Sequence, residues 1–270
     1  MPDKTRLSVE ATSLYNLLEV LWDHGAPVSP RGLRVKELTN LDWTFPPRCR
    51  WMSFGPRRLN LAYVRAELRW YLGADPYDHS ICDYAKKWGE LLQPDGRLLS
   101  NYGYYLFDQD QLGFLKMLVT LVKDRDSRQA VCPILMQEHL YPENSDVPCT
   151  MYVGFMVRDD RVMMNVRMRS QDAIWGLGND LPFFSLLHEL MWVMLTHQLD
   201  PGLTMGGLNL RVDSFHLYER HFKLVQELLN EPAYQPVEMP QVTWAEAKEL
   251  IHRRLGSNQQ GAFTRWLNHG

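Results

Sequence analysis

The sequence predicts an α+β fold, and three patterns along the chain support this class. Apolar and polar residues alternate between Met151 and Met168, as in a hairpin with one buried face. Longer stretches carry apolar residues at helical spacing. The strand and helix patterns do not alternate regularly, which disfavours a doubly wound α/β sheet. Because no repeat or long linker interrupts residues 1–270, we expect a single domain.

Apolar periodicity predicts the elements of the first half. A helix is expected from Val9 to Asp23, with a leucine-rich stripe and a stop at Gly25. A loop rich in proline and arginine follows, and then a strand around Thr39–Phe45. Two further helices are expected, a buried one from Leu61 to Leu72 and a mostly apolar one from Gln111 to Val122.

The second half contains the hairpin, which turns at Arg158-Asp159-Asp160-Arg161. The glycines and polar residues of Gly176–Asp180 predict a loop, and Leu181–Leu199 predicts a strongly apolar helix entered through Pro182. The remaining elements are a strand from Gly207 to Tyr218, a helix from Glu219, and a last long helix begun by the capping-box spacing of Thr243 and Glu246.

Composition and charge exclude several classes of protein. The chain is 45% hydrophobic and 23% charged, unlike a disordered protein or a coiled coil. Its net charge of -3 provides no overall attraction for nucleic acid, so we expect no direct nucleic acid binding. No signal pattern starts the chain, and no apolar run reaches the ~18 residues of a membrane span. These features predict a cytoplasmic protein without membrane contact.

The four cysteines lie far apart and form no CxxC pair, so neither a zinc site nor a disulfide framework is predicted. They are expected to be free thiols. Cys149 follows Pro148 directly before the first hairpin strand, where neighbouring arginines would favour its thiolate and make it a nucleophile. The alternative for any single cysteine is a small buried hydrophobic residue.

Several arginines and acidic residues are candidates for ligand binding. Arg128, Arg169 and Ser170 could bind a phosphate through forked hydrogen bonds, or the arginines could form ordinary surface salt bridges. The second group, which could hold a heterocycle or simply build a turn, consists of Asp172, Asn179 and Asp180.

Two histidine-containing segments complete the candidates. His188-Glu189 begins like a zinc-protease motif, but the fifth residue is Trp192, so no metal site is predicted and the pair is expected on a solvated helix face. His216 and Tyr218 are two apart on a strand and point to the same side. They could bind a sugar hydroxyl or pack in the core.

In this order and spacing, the motifs resemble those of the thymidylate synthase superfamily. The resemblance spans about three quarters of the chain, from Gly25 to His221. The matching segments are Pro30-Arg31-Gly32, Glu67 to Trp70, Tyr102-Gly103, Ser127-Arg128, Pro148-Cys149, Arg169 to Asp172 with Gly176, and His216-Leu217-Tyr218.

Three departures narrow the resemblance. Thr150 stands where the family usually has histidine, and Gln129 replaces the second arginine of a pair, so that one phosphate contact is lost or comes from Arg125. Asp180 occupies the position of the asparagine that recognises uracil, which resembles the deoxycytidylate hydroxymethylase branch known from DNA viruses of bacteria. Asn179, one residue earlier, leaves the alternative that the register is shifted.

The exchange of an amide for a carboxylate suits cytosine. Uracil presents O4 as an acceptor and N3–H as a donor, which an asparagine amide matches. Cytosine presents an amino donor and the N3 acceptor. Asp180 can accept from the amino group, and a shared proton would complete the bond to N3. An ionised Asp180 would oppose O4 of uracil and leave buried polar groups unpaired.

The resemblance implies a mixed sheet flanked by helices, a homodimer formed through the sheet, and a folate-dependent deoxycytidylate 5-hydroxymethyltransferase. Such an enzyme converts dCMP, 5,10-methylenetetrahydrofolate and water to 5-hydroxymethyl-dCMP and tetrahydrofolate. Cys149 would add to C6 of the pyrimidine, Tyr102 would help to remove the C5 proton through water, and Glu67 would organise the water and the proton transfers.

The resemblance also implies the residues that bind the two substrates. Asp172 and Trp88, together with Glu67, are candidates on the folate side. The other implied contacts are Arg31, Arg169, Ser170 and Arg128 of the partner subunit for the phosphate, Asp180 or Asn179 for the base, and His216 and Tyr218 for the ribose 3′-hydroxyl.

Several alternatives stay open. Hydride rather than water could complete the reaction, giving 5-methyl-dCMP, or dTMP from dUMP; CMP could replace dCMP. Residues 263–270 do not match the family's apolar ending, which disfavours hydride transfer. An inactive homologue that regulates by binding nucleotide or RNA is disfavoured because Cys149, Glu67 and Tyr102 are all present. If a bacterial virus encodes the chain, the expected cytoplasm is that of its host.

Overall fold

The computed structural model describes residues 9–50, 59–230, 239–252 and 261–269. The strands in these ranges are β1 (Ala26–Val28), β2 (Val35–Phe45), β3 (Val131–Pro133), β4 (Thr150–Arg158), β5 (Arg161–Asp172) and β6 (Thr204–Tyr218). The α-helices are α1 (Val9–His24), α2 (Leu61–Gly73), α3 (Tyr102–Phe107), α4 (Gly113–Lys123), α5 (Trp175–Gln198), α6 (Phe222–Asn230), α7 (Trp244–Ile251) and α8 (Ala262–Asn268).

Six strands in the described ranges form one sheet, in the order β1-β2-β6-β5-β4-β3. The pair β5 and β6 is parallel, and each of the other neighbouring pairs is antiparallel. The segment β5-α5-β6 forms a βαβ unit, but the described strands and helices do not alternate regularly, which confirms the predicted α+β class. The hairpin predicted from the sequence is present and consists of β4 and β5.

One face of the sheet is apolar and packs against α5. Buried side chains alternate along β5 and β6, and Val166 and Leu210 are register partners on this inner face. The outer face is more polar. There the Asn209 amide donates a hydrogen bond to Asn165 Oδ1 at 3.0 Å, beside the exposed Arg211.

An irregularity at the start of β4 sets the position of Cys149. The register with β5 shifts by one residue between Thr150 and Tyr152, so β4 holds an extra residue at Met151. Bulges of this kind bend a strand and redirect the neighbouring side chains. Cys149 therefore lies where the regular ladder ends.

Helix α5 begins earlier than the sequence predicts, because Gly176–Asp180 is helical rather than a loop and Pro182 lies inside the helix rather than at its entrance. Asp172 Oδ1 accepts hydrogen bonds from two backbone amides at the helix start, at 2.7 and 3.1 Å. Glycine and asparagine disfavour helices locally, but burial of Leu177 in the core outweighs this preference.

His188 and Glu189 are buried, so the prediction of a solvated helix face is wrong. His188 Nε2 donates to the Val162 carbonyl at 2.6 Å, and burial lowers the pKa of His188 to about 4. Glu189 Oε2 accepts a hydrogen bond from Arg50 at 2.7 Å, and Arg48 lies 3.6 Å from Oε1. This part of α5 is enclosed by other elements, so its polar groups need partners inside the protein.

The capping box predicted at Thr243 and Glu246 is present and begins α7. The helix ends at Ile251, so it is short where the sequence predicts a long one, and residues 253–260 lie outside the described residues. Glu246 Oε1 also accepts a hydrogen bond from the amide of Thr264 at 3.0 Å. The capping carboxylate therefore joins two short helices, α7 and α8.

Gly103 allows α3 to approach α2 closely and so places Tyr102. A Cβ atom at this position would lie 1.6 Å from the carbonyl oxygen of Tyr71. The rings of Tyr102 and Tyr71 stack with their centroids 5.3 Å apart, and the Tyr71 ring lies 4.3 Å from that of Phe183 on α5. Any larger residue at 103 would separate the two helices.

Candidate active site

Cys149 is held by Arg169, which lies opposite it on β5. The Arg169 backbone amide donates to the Cys149 carbonyl at 2.9 Å. Its guanidinium donates from Nε to the Pro148 carbonyl at 3.0 Å and from Nη2 to the Val147 carbonyl at 2.6 Å. Arg169 thus anchors the segment that carries the thiol.

Opposing effects act on the Cys149 thiol. Its side chain is partly accessible, but the surrounding protein shields the sulfur from bulk water, and this burial raises the pKa of Cys149. The charges of Arg169 and Arg31 lower the pKa, while those of Asp180 and Asp146 raise it. The net shift is upward, so the arginines favour the thiolate as expected but burial outweighs them.

Arg31, whose charge lowers the pKa of Cys149, has an unusual backbone conformation. It lies in the exposed turn Pro30–Gly32 with a φ of 53°, in the left-handed region. A non-glycine residue there carries backbone strain, which the surrounding structure must offset.

Glu67 belongs to a short chain of hydrogen bonds. The Tyr63 hydroxyl donates to Glu67 Oε1 at 2.6 Å, and the Trp88 indole N–H donates to the Tyr63 oxygen at 3.1 Å. Glu67 is buried, and burial raises its pKa well above the usual range; the bond from Tyr63 lowers it and the charge of Asp180 raises it.

The sequence interpretation missed Tyr63. Its position four residues before Glu67 on a predicted helix was the available signal, because residues at this spacing share a helix face. Trp88, expected on the folate side, is linked to Glu67 through this tyrosine.

Asp180 receives a hydrogen bond from Gln171, whose Nε2 lies 2.9 Å from Asp180 Oδ2. Burial raises the pKa of Asp180 to about 7, the Gln171 bond lowers it, and the charge of Asp172 raises it. Successive residues on a helix point about 100° apart, so Asn179 faces a different direction. Gln171 occupies the variable position x of the Arg-Ser-x-Asp motif, so the motif does not indicate a role for it.

Tyr102 lies within electrostatic reach of both Asp180 and Cys149. Burial raises its pKa well above the usual range, and the two acidic groups raise it further. Thr150, the neighbour of Cys149, is fully buried. The structure thus brings together Cys149, Tyr102, Glu67 and Asp180 with the two arginines.

The remaining predicted residues on β5 and β6 form a second group. Ser170 and Ser214 are register partners, and the His216 ring lies 5.0 Å from that of Tyr218. His216 Nδ1 is 3.3 Å from the Ser214 carbonyl. The carbonyl of His216 accepts a hydrogen bond from the amide that follows Asp172 at 2.8 Å, which joins this group to the start of α5.

An aromatic and cationic cluster lies beside Asp172. Arg220 Nη2 is 3.9 Å from Asp172 Oδ2. The guanidinium carbon lies 4.0 Å from the Tyr218 ring centroid and 4.8 Å from that of the exposed Trp175. Asp172 therefore caps α5 with Oδ1, while its other oxygen, Oδ2, lies near Arg220.

Arg128 lies elsewhere. It is exposed and lines an open cavity on the outer face of the sheet, together with Tyr152, Asn165 and Arg211. Arg125, considered as a substitute for Gln129, pairs with two aspartates, Asp160 and Asp200.

No group of three or more His, Cys, Asp or Glu side chains in the described ranges is arranged to hold a metal ion. No helix in these ranges is long and apolar enough to cross a membrane.

Comparison with known proteins gives a consistent family. The thymidylate synthase family model matches residues 19–255. The chain is 28% identical over 179 residues to the deoxycytidylate 5-hydroxymethyltransferase of Enterobacteria phage T2, which covers 64% of this chain and 73% of the relative. It is 28% identical over 223 residues to the deoxyuridylate hydroxymethyltransferase of Bacillus phage SP01, covering 77% of this chain and 57% of that relative. A thymidylate synthase of Fusobacterium nucleatum is 26% identical over 157 residues, covering 57% and 54%.

Proposed function

Because the chain belongs to the thymidylate synthase family, whose members use methylenetetrahydrofolate as co-substrate, we propose that it is a deoxycytidylate 5-hydroxymethyltransferase. The products would be 5-hydroxymethyl-dCMP and tetrahydrofolate. The observation that carries this proposal is a carboxyl group, Asp180, within electrostatic reach of Cys149, where a uracil-specific enzyme of the family has an amide.

Asp180 matches the polar edge of cytosine. A carboxylate oxygen accepts from the 4-amino group, and a carboxyl proton completes the bond to N3. A pKa of about 7 makes both protonation states available near neutral pH. Uracil would place O4 against the oxygen that accepts from the 4-amino group of cytosine, and an unpaired buried polar group costs about 1–3 kcal/mol.

The remaining roles in this proposal are those that the family resemblance implies. Cys149 adds to C6 of the base, after its proton has left for a base or water in the site. Tyr102 holds the water that removes the C5 proton, and Glu67, fixed by Tyr63, orients the water that supplies the new hydroxyl. Methylenetetrahydrofolate supplies the one-carbon unit. Its binding is compatible with the half-buried Trp88 beside this network.

The phosphate site extends across a homodimer in this proposal, with each chain acting as a single catalytic domain. Arg31, Arg169 and Ser170 bind the phosphate from one side. Arg128 of the partner subunit completes the site, which agrees with the position of this residue on the outer face of the sheet rather than beside Cys149. His216 and Tyr218 bind the ribose 3′-hydroxyl, and Asp172 contacts the folate.

A second candidate keeps the fold and changes the base or the last step. The similarity to a deoxyuridylate hydroxymethyltransferase covers more of this chain than the similarity to the phage T2 protein, which favours dUMP as the substrate to test against dCMP. The same fold also accommodates CMP hydroxymethylation and dCMP C5-methylation.

Mass spectrometry of the products separates these reactions. The protein is incubated with methylenetetrahydrofolate and dCMP, CMP or dUMP, with a Cys149→Ser variant as the control. We expect a hydroxymethyl group on dCMP and little product from CMP or dUMP. A methylated product, or turnover of dUMP in preference to dCMP, would contradict the proposed activity.

A further inference from the structure

Gln171 provides the hydrogen bond that Asp180 accepts within the described part of the chain. Its Nε2 donates to Asp180 Oδ2 at 2.9 Å, from β5 to α5. Gln171 is 2% exposed, so bulk water does not compete for this bond. The other amide atom, Oε1, is buried and accepts no hydrogen bond from a described residue.

The first turn of α5 leaves space for this amide. A Cβ atom at Gly176 would lie 2.8 Å from Gln171 Nε2, which is closer than Cβ atoms approach other heavy atoms in proteins. A side chain at 176 would therefore displace the amide from Asp180. Among the described residues, Asp180 is the partner of the Gln171 side chain, which places Gln171 to act on that carboxyl group.

We propose that Gln171 is a positioning residue for base choice, which makes Asp180 Oδ2 a hydrogen-bond acceptor and confines the carboxyl proton to Oδ1. This inference rests on the proposed function, in which Asp180 faces the base. In a protonated carboxyl group, the oxygen without the proton is the better acceptor, so an amide N–H aimed at Oδ2 favours the proton on Oδ1. The carboxyl group then presents one donor and one acceptor in a fixed order.

The order matters because cytosine and uracil exchange donor and acceptor along the edge that is read. Cytosine presents an amino donor and the N3 acceptor, whereas uracil presents the O4 acceptor and an N3–H donor. A carboxyl group that carries its proton on either oxygen satisfies both bases. One whose proton is confined to Oδ1 satisfies one base only, and the proposed function, which requires cytosine, places Oδ1 toward N3 and Oδ2 toward the 4-amino group. A fully ionised Asp180 has no proton to confine, so it opposes O4 of uracil and N3 of cytosine whatever Gln171 does.

The charge on Asp180 also depends on the groups around it. Burial raises the pKa of Asp180 to about 7. The titratable groups coupled to it are Asp172 on β5, Tyr63, Glu67 and Tyr71 on α2, Tyr102 on α3, and Cys149 before β4. These groups change how much of Asp180 is ionised. Among the described residues, the hydrogen bond from Gln171 is the one that distinguishes the two oxygens of Asp180 and so favours one of them for the proton.

The test compares Gln171→Met with the wild type. Methionine has a similar volume but donates no hydrogen bond. The measured quantity is kcat/KM for dCMP relative to dUMP, at about pH 6 and at a pH about one unit above the Asp180 pKa of the variant. The preference for dCMP should fall about tenfold or more at the lower pH and agree with the wild type within about twofold at the higher pH. Structural damage would not produce this dependence on pH.

A matched control removes another buried amide. Gln93 Nε2 donates to the Leu91 carbonyl at 3.1 Å and to Ser145 Oγ at 3.2 Å. Gln93→Met should leave the preference for dCMP unchanged at both pH values. If Gln171→Met does not fold, Gln171→Leu removes the same donor and provides the same comparison.

A measurement without substrate separates this inference from the proposed function. Titration of the Asp180 carboxyl carbon by NMR should show a higher pKa in Gln171→Met, because a donor to the ionised form is lost. Equal pKa values would overturn the inference, whatever the substrate. A wild type that prefers dCMP, with an unchanged preference in the variant at about pH 6, would overturn the inference alone. A wild type with no preference for dCMP would contradict the proposed function.

Discussion

Individual side chains in the site are held in a shielded environment that favours their uncharged forms. Burial raises the pKa of Cys149, Glu67 and Tyr102 alike. Asp180 raises the pKa of each of these groups, so their ionisations are linked. The pH dependence of the reaction should therefore report the group of residues rather than any one of them.

Replacing Cys149 tests the nucleophile. Cys149→Ser should lower turnover by several orders of magnitude and leave dCMP binding largely intact, because a serine hydroxyl is far less ionised than a thiol. Turnover is followed by tritium release from 5-tritiated dCMP, and binding by calorimetry. Cys82→Ser is the control, since Cys82 is also partly accessible but lies in the turn Ser80–Asp83. Tritium release near the wild-type rate in Cys149→Ala would rule out a covalent mechanism.

Replacing Asp180 tests base choice. Asp180→Asn restores an amide that matches O4 and N3–H of uracil and removes the carboxyl contact to cytosine. The ratio of kcat/KM for dCMP over dUMP should fall by roughly ten- to a hundredfold, since a mispaired buried edge costs on the order of 1–3 kcal/mol. Asn179→Ala is the companion variant. An unchanged ratio in Asp180→Asn, with a changed one in Asn179→Ala, would move base recognition to Asn179.

Removing the Tyr63 hydroxyl should shift the pH dependence of turnover. The bond from Tyr63 lowers the pKa of Glu67, so Tyr63→Phe should raise that pKa further. If Glu67 acts as the carboxylate, the acidic limb of the kcat profile moves to higher pH, and kcat at pH 7 falls by about tenfold or more. Tyr15→Phe, which removes a hydroxyl bonded to the Leu229 carbonyl at 2.9 Å, is the control. A profile of unchanged position would mean that Glu67 does not act in this form.

At the scale of elements, α5 connects the site to the core. Its first turns carry Asp180 beside Gln171, and its middle carries His188 and Glu189 in the interior. Local composition disfavours the first turns, and a buried carboxylate interrupts the apolar middle. Partners outside the helix stabilise both parts: Gln171 on β5 contacts Asp180 in the first turns, and Arg50 contacts Glu189 in the middle. The helix that presents Asp180 therefore depends on contacts from distant parts of the chain.

The pair Arg50 and Glu189 gives a prediction for stability. Glu189→Leu leaves the buried Arg50 without the carboxylate that it contacts at 2.7 Å, and should cost about 3–5 kcal/mol of unfolding free energy. Unfolding in urea measures this change. Arg50→Met combined with Glu189→Leu should recover most of the loss, because the uncompensated charge is gone. A double variant as unstable as Glu189→Leu would show that packing, and not the charge, sets the cost.

At the scale of the whole molecule, the sheet separates two surfaces. Its inner face packs on α5, and Cys149 lies directly before the start of β4. Its outer face carries Arg128 beside an open polar cavity. The proposed dimer requires this outer-face arginine to reach the proposed phosphate site of the partner subunit.

Mixed dimers test whether the site is shared. Arg128→Ala and Arg169→Ala should each be nearly inactive alone. A mixed dimer has one intact site and one site with both changes, so it should recover about half of the wild-type activity. Activity is measured on purified mixed dimers carrying two different tags, with tagged wild-type dimers as the reference. No recovery in confirmed mixed dimers would place the complete phosphate site within one chain.

The sequence alone determined the class of fold, most strands and helices, and the family. The hairpin β4-β5, the capping box at Thr243 and the family itself follow from patterns over neighbouring residues. Such patterns record the local period of burial and the local preferences of the backbone. They also place Cys149, Glu67, Tyr102 and Asp180 as candidates, because each lies in a short motif.

Only the tertiary structure decided how these candidates are supported. The helical state of Gly176–Asp180, the burial of Glu189 against Arg50, and the bond from Gln171 to Asp180 join residues on different elements. No local pattern encodes such contacts, since their partners are brought together by the packing of the sheet against α5. The free energy of a buried polar group depends on those partners, and so the electrostatics of the site are a property of the folded chain.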